Sequence, residues 1–169
     1  MTAKTLENRG VLDAAARSPL GFKKILAPID FSPASNNAIK YALSFAEEFG
    51  AELTLVHVLE PAPSTSFMAI PGATPFREVD FSTAEKNLKS TVASSRKGKT
   101  ERPSWKIRVG LPSHEIVEAA KEADVDLIVI ATHGYTGWKH FCIGSTAERV
   151  VRAAPCPVLV VREKEHEFC

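Results

Sequence analysis

Short apolar runs and longer helix-periodic stretches take turns along this chain. Lys23–Asp30 (K-K-I-L-A-P-I-D) reads as a first strand, with Pro28 tolerated because the strand is ending there. Ser32 then caps a helix that carries Pro33 in its first turn. Its apolar face is Ala38, Ile39, Ala42, Leu43, Ala46 and Phe49, and Gly50 stops it. Glu52–Leu59 reads as a second strand. Trp105–Val109 alternates, with Trp105, Ile107 and Val109 on one side, as a half-exposed strand does. Ser113–Ala123 is helix-periodic through Ile116, Val117, Ala120 and Ala123. Asp126–Ala131 and Pro157–Val161 are continuous apolar runs, the mark of strands covered on both faces. A further helix opens after Gly144. The alternation predicts a parallel α/β sheet with right-handed crossovers.

Two stretches fall outside that rhythm. Residues 1–20 are polar with scattered apolar positions and read as an extension outside the core, with a short helix as one option; the domain spans residues 21–163 and leaves 164–169 as a tail. Residues 61–82 form a long irregular stretch with Pro61, Pro63, Pro71, Gly72 and Pro75. A loop this long in a compact domain is a functional flap or disorder, and its Phe67, Met68, Ile70 and Phe76 favour a flap with something to cover. A helix from about Thr83 to Arg96 and a solvated turn at 97–102 follow.

Composition narrows the class. The 169 residues, 44% hydrophobic and 24% charged, suit one soluble globular domain. A net charge of +1 offers no electrostatic footprint for nucleic acid or an anionic membrane. No apolar run approaches a membrane span, and Glu7 and Asp13 argue against a transit peptide. Cys142, Cys156 and Cys169 form no C-x-x-C pair and point to a reducing, cytoplasmic setting.

Several chemistries lack their motif. Gly98-Lys-Thr100 resembles the end of a P-loop, but Ala93 stands where its first glycine belongs. No G-x-G-x-x-G follows the first strand. His114-Glu115 lacks the second histidine of a zinc helix, and Ser145 is not in a G-x-S-x-G elbow. The positive signal is Asp126–Arg152, where a buried strand runs into Thr132-His133-Gly134, and Gly144-Ser145 opens a helix. Backbone N–H groups around Gly134, Gly144 and Ser145, with a helix N-terminus, suit a bound phosphate. With strand order 3-2-1-4-5, strands one and four are neighbours where the order reverses, the place where open α/β sheets bind ligands. Asp30 at the end of strand one then accepts hydrogen bonds from ribose hydroxyls.

Each of these residues also has a plainer role. Asp30 can brace the turn into the first helix. Ser145-Thr-Ala-Glu148 has the spacing of a capping box. Gly134 and Gly137 can serve a turn, His133 can pack, and Lys139 and His140 can be solvated. His57 reads as a satisfied core histidine.

The chain resembles the universal stress protein family. The resemblance is carried by K-K-I-L-A-P-I-D-F-S at Lys23–Ser32, L-T-L-V-H-V at Leu53–Val58, V-G-L-P-S-H-E-I-V at Val109–Val117, and the run from Ala131 to Val161. It implies an open five-stranded parallel sheet, order 3-2-1-4-5, with helices on both faces, Rossmann-like. In one branch of the family it also implies ATP binding, marked by G-x-x-G, nine residues, then G-S/T. Here that pattern reads Ala131-Thr-His-Gly134, nine residues, Gly144-Ser145, so Ala131 replaces the first glycine. A methyl group is compatible with a negative φ there, but it can also crowd a phosphate.

Carried over by position, the resemblance places Asp30 on the ribose, Pro28 and Ile29 around the base, and the Val58 backbone at the adenine edge. Ala131, His133, Gly134, Gly144, Ser145 and Thr146 line the phosphates. Mg2+ is then held through phosphates and water, with no protein cage. The family tends to dimerise through its last strand, and Val158, Leu159, Val160 and Val161 independently form an apolar sheet edge that needs covering, by a symmetry mate or by the 1–20 extension or the 163–169 tail. Three functions stay open: a nucleotide-binding regulator of the stress response; a weak ATPase or nucleotidyl-transfer enzyme with His133 or Lys139 as candidates; and a nucleotide-free dimeric module that binds a partner.

Overall fold

A five-stranded parallel sheet in the order β3-β2-β1-β4-β5 organises the protein. The structure is a computed structural model that describes residues 21–60, 78–95, 102–132 and 144–162. The elements are β1 (Lys24–Pro28), α1 (Pro33–Phe49), β2 (Glu52–Leu59), α2 (Glu78–Ser94), β3 (Ser104–Val109), α3 (Pro112–Ala123), β4 (Leu127–Ala131), α4 (Ser145–Ala153) and β5 (Val158–Val161). The N-terminal extension, residues 61–77 of the flap, the 97–101 part of the solvated turn and the 164–169 tail lie outside the described residues.

The chain steps from β1 to β2 to β3 in one direction, then from β4 to β5 in the other. Right-handed crossovers therefore put the helices on opposite faces. One face carries α1 and α2, whose Ala38, Ile39, Ala42, Ala46 and Leu88 pack on Ile25, Leu55 and Val129. The other carries α3 and α4, whose Ile116, Val117, Ala120, Ala147 and Val150 pack on Leu26, Val56, Ile128 and Ile130. No described helix is long and apolar enough to cross a membrane.

Local chemistry sets most boundaries. The Ser32 Oγ accepts the Ser35 amide at 3.1 Å and caps α1. Gly50, at φ +63, ends the helix, and the next amide, Ala51, donates to the Ala46 carbonyl at 2.9 Å. β4 starts at Leu127 rather than Asp126, although the Asp126 amide already donates to the Lys24 carbonyl at 2.8 Å, and the Asp126 carboxylate reinforces this end. Its Oδ2 accepts the Lys23 and Lys24 amides at 2.7 and 2.9 Å and ties β1 to β4 at their N-terminal ends.

One boundary differs from expectation. α2 begins at Glu78, inside the stretch read as loop through residue 82 and five residues before Thr83. No Gly or Pro interrupts Glu78–Thr83, and acidic residues early in a helix favour its positive end. Ala84 and Leu88, spaced four apart, then seat the helix on the sheet.

Candidate functional site

The sheet opens where β1 and β4 part. Their register covers only Ile25↔Leu127 and Leu26↔Ile128, whereas β1 and β2 pair over five positions and β4 and β5 over four. Beyond that short pairing lies a crevice of about 230 Å3. It sits at the carboxyl ends of the strands, at the topological switch point.

Sequence reasoning named ten residues for this place, and the structure brings eight of them round the crevice. Pro28, Ile29 and Asp30 come from the end of β1, Val58 from β2, Ala131 from the end of β4, and Gly144, Ser145 and Thr146 from the start of α4. His133 and Gly134, with Gly137, Lys139 and His140, lie outside the described residues. Val56 and Glu60 also line the crevice. Val56 shares the Val58 face of β2, a signal the period-two alternation contained, and Glu60 follows directly after the strand. Thr132 and Ile130 extend the β4 wall, Ser35 and Ala147 sit at helix starts, and Pro112 and Ile116 form the α3 wall. Nothing local in the sequence marks Pro112 or Ile116 as more than helix residues.

The β1 tip is sharply shaped. Asp30 Oδ1 accepts the Ser32 amide at 3.0 Å, so the carboxylate does brace the turn, with its residue at the crevice wall. Between them Phe31 holds φ +64, a left-handed conformation that costs a bulky residue about 1–3 kcal/mol. Its ring lies against His57, centroids 4.6 Å apart. His57 Nδ1 lies 2.8 Å from the Ile29 carbonyl, so the histidine is satisfied as expected, though half-buried rather than in the core.

The α4 end departs from expectation twice. Ser145 is the first helical residue and Gly144 is the N-cap, with no side-chain cap hydrogen bond, so the capping box does not form. Glu148 instead accepts Arg152 at 2.8 Å, one turn on. The second departure concerns Gly144, whose amide donates to the Thr132 carbonyl at 2.7 Å and is committed to the fold. The donors left at this end are the amides of Ser145, Thr146 and Ala147, which have no partner among the described residues. They belong to the positive end of the helix, where anions are favoured.

The backbone does not need glycine at either of the two described motif positions, Ala131 and Gly144. Gly144 has φ −58. Ala131 ends β4, and among the described residues only Phe31 and Asp124 are non-glycines with positive φ. The Ala131 methyl is buried in the cluster on the α1 face, beside Val129 and Val161.

The α3 wall is held from behind. Arg108 on β3 donates to Glu115 at 2.7 Å and to Glu122 at 2.6 and 3.1 Å. The Arg108 guanidinium holds both carboxylates below their usual range. Among the described residues, no group of three or more His, Cys, Asp or Glu side chains is placed to hold a metal ion.

Comparison with known proteins adds the family context. The family model described as the universal stress protein family matches residues 21–162. The universal stress protein MJ0531 of Methanocaldococcus jannaschii is 34% identical over 152 residues, covering 86% of this chain and 85% of the relative. The solved structure of UspA from Lactobacillus plantarum superposes with a TM-score of 0.74 at 27% identity, over 83% of this chain and 97% of that one. A universal stress protein from Archaeoglobus fulgidus, solved in complex with dAMP, matches with a TM-score of 0.63 at 25% identity, over 82% and 97%.

Proposed function

This chain belongs to the universal stress protein family, and from that premise we propose that it binds ATP in the crevice between the tips of β1 and β4 and acts as a nucleotide-responsive regulator in the stress response. One observation carries the reading: Ser145, Thr146 and Ala147, whose amides have no partner among the described residues, line the same crevice as Asp30. An anion-favouring end and a carboxylate for hydroxyl groups thus stand either side of one cavity. The dAMP complex of the Archaeoglobus relative supports an adenine nucleotide as the ligand class.

In this reading Pro28, Ile29 and Val58 receive the base and Asp30 accepts the ribose hydroxyls. Ser145 and Thr146 present amides to phosphate, beside Gly144 and Ala131, with His133 and Gly134 completing the cradle. The described crevice, about 230 Å3, is below the usual range for small-molecule sites. In this reading the nucleoside occupies it and the phosphates pass over the first turn of α4. Without a metal-binding side-chain cluster among the described residues, Mg2+ travels on the phosphates with its waters. The protein works in the cytoplasm as a dimer joined through β5.

Mass spectrometry and absorbance of the protein as purified, followed by calorimetric titration with ATP, test the reading. Bound or bindable adenine nucleotide without turnover supports it. Steady phosphate release would make the chain an ATPase, and no affinity for any adenine nucleotide would leave a partner-binding module.

A further inference from the structure

We propose that His57 is a positioning residue: it takes over the Ile29 carbonyl and so keeps the peptide edge of Val58 available to the base. The inference rests on the nucleotide reading of the crevice, but its first link is a hydrogen-bond pattern that stands without any ligand.

The β1–β2 register stops at Pro28↔Val56. One rung further, the Ile29 amide still donates to the Val56 carbonyl at 2.9 Å. A parallel ladder would next join the Val58 amide to the Ile29 carbonyl, since each residue bonds the two flanking its opposite number. That rung is absent from the described hydrogen bonds. The Ile29 carbonyl instead faces His57 Nδ1 at 2.8 Å. A carbonyl only accepts, so Nδ1 carries the proton and donates. Phe31 lies against the imidazole and keeps it in place from the chain just past the carbonyl it holds.

Strand alternation decides where the released groups point. The Gly110 amide donates to the Leu59 carbonyl at 3.0 Å, so the peptide groups of Leu59 face β3. Those of Val56 and Val58 face the β1 side. Beside Val58, β1 has already turned into Asp30–Ser32, and Val58 lines the crevice. Its N–H and C=O present a donor and an acceptor side by side at the notch. Adenine offers the complement, an acceptor at N1 beside a donor at N6, whereas hypoxanthine offers a donor at N1 and an acceptor at O6. A histidine that never touches the ligand thereby sets base selectivity.

The test compares the unaltered protein with His57→Leu and His57→Asn. Calorimetry measures affinity for ATP and for inosine triphosphate, and amide hydrogen exchange by NMR follows Val58. The unaltered protein should prefer ATP by about tenfold, the scale of one or two hydrogen bonds. In His57→Leu the Ile29 carbonyl captures the Val58 amide, and the preference should fall towards one through loss of ATP affinity. His57→Asn, with a donor near the Nδ1 position, should restore it. In ligand-free unaltered protein the Val58 amide should exchange at least about tenfold faster than that of Val56.

A slowly exchanging Val58 amide in ligand-free protein overturns the inference, even if His57→Leu fails to fold. An undiminished ATP preference in folded His57→Leu also overturns it. If the unaltered protein binds no adenine nucleotide, the nucleotide reading falls and base selectivity with it, while fast Val58 exchange would still uphold the His57 hydrogen-bond swap.

Discussion

The Thr132 carbonyl and the Gly144 amide meet at 2.7 Å, joining the end of β4 to the start of α4. That bond commits the Gly144 amide to the fold, so the proposed anion site rests on the three amides that follow.

Ser145→Glu tests that assignment. A carboxylate in the first turn of α4 favours the helix but repels phosphate from the same amides. ATP affinity should fall at least about tenfold by calorimetry, with the thermal midpoint unchanged or slightly raised. Unaltered affinity would remove α4 from the site.

Asp30 braces the turn and, in the proposed reading, also receives the ribose, and one substitution separates the two. Asp30→Asn keeps an oxygen to accept the Ser32 amide but gives up the charge. Charge-assisted hydrogen bonds are about twice as strong as neutral ones, so ATP should bind about tenfold more weakly. The melting temperature should stay within a few degrees. A large drop in melting temperature with affinity intact would make Asp30 purely a turn residue.

Acid should weaken the fold through two carboxylates. Asp126 is held below its usual range by the Lys23 and Lys24 amides, and Glu115 by the Arg108 guanidinium. Both take up protons more readily in the unfolded chain. Their contribution is complete above the ordinary carboxylate range near pH 4 and is lost as pH falls through the lower folded values. Denaturant midpoints should hold from about pH 7 to 5 and fall below about pH 4. Asp126→Asn should cost about 1 kcal/mol at neutral pH, allowing for solvent screening, and should shallow the acid fall.

Gly110 has two reasons to be glycine. Its φ is +147, and a Cβ there would stand 3.0 Å from Glu115 Cγ and Oε1. Gly110→Ala should destabilise the fold by about 2 kcal/mol in chemical denaturation. Because Glu115 anchors α3 against Arg108, a wild-type midpoint would show that this wall of the crevice yields easily.

β5 lies at one edge of the sheet, with Val158, Leu159 and Val160 half-buried in the single chain. If this edge joins two copies, Val160→Lys should give monomers at concentrations where the unaltered protein is dimeric, read by sedimentation with circular dichroism confirming the fold. An unchanged sedimentation profile would place any self-association elsewhere.

Where the chain's own neighbours decide, the sequence sufficed. Ser32, Pro33 and Gly50 bound α1, the apolar runs at 126–131 and 157–161 mark strands, and glycine-bearing Asp126–Arg152 points to the switch point. These are short-range matters of periodicity, capping and backbone freedom, and they were legible because each works within one turn or one strand.

The tertiary structure alone decided which groups remain available. The Gly144 amide is spent on Thr132, Ser145 is helical rather than a cap, Phe31 is left-handed, and His57 takes the Ile29 carbonyl that Val58 would have used. Pro112 and Ile116 become a crevice wall only because α3 packs on the face opposite α1. A hydrogen-bond partner is a choice among groups in space, and these strands assemble theirs from segments as far apart in the chain as Ile29, His57 and Gly144. Residue spacing names the candidates; the sheet order and its crossovers settle which of them meet.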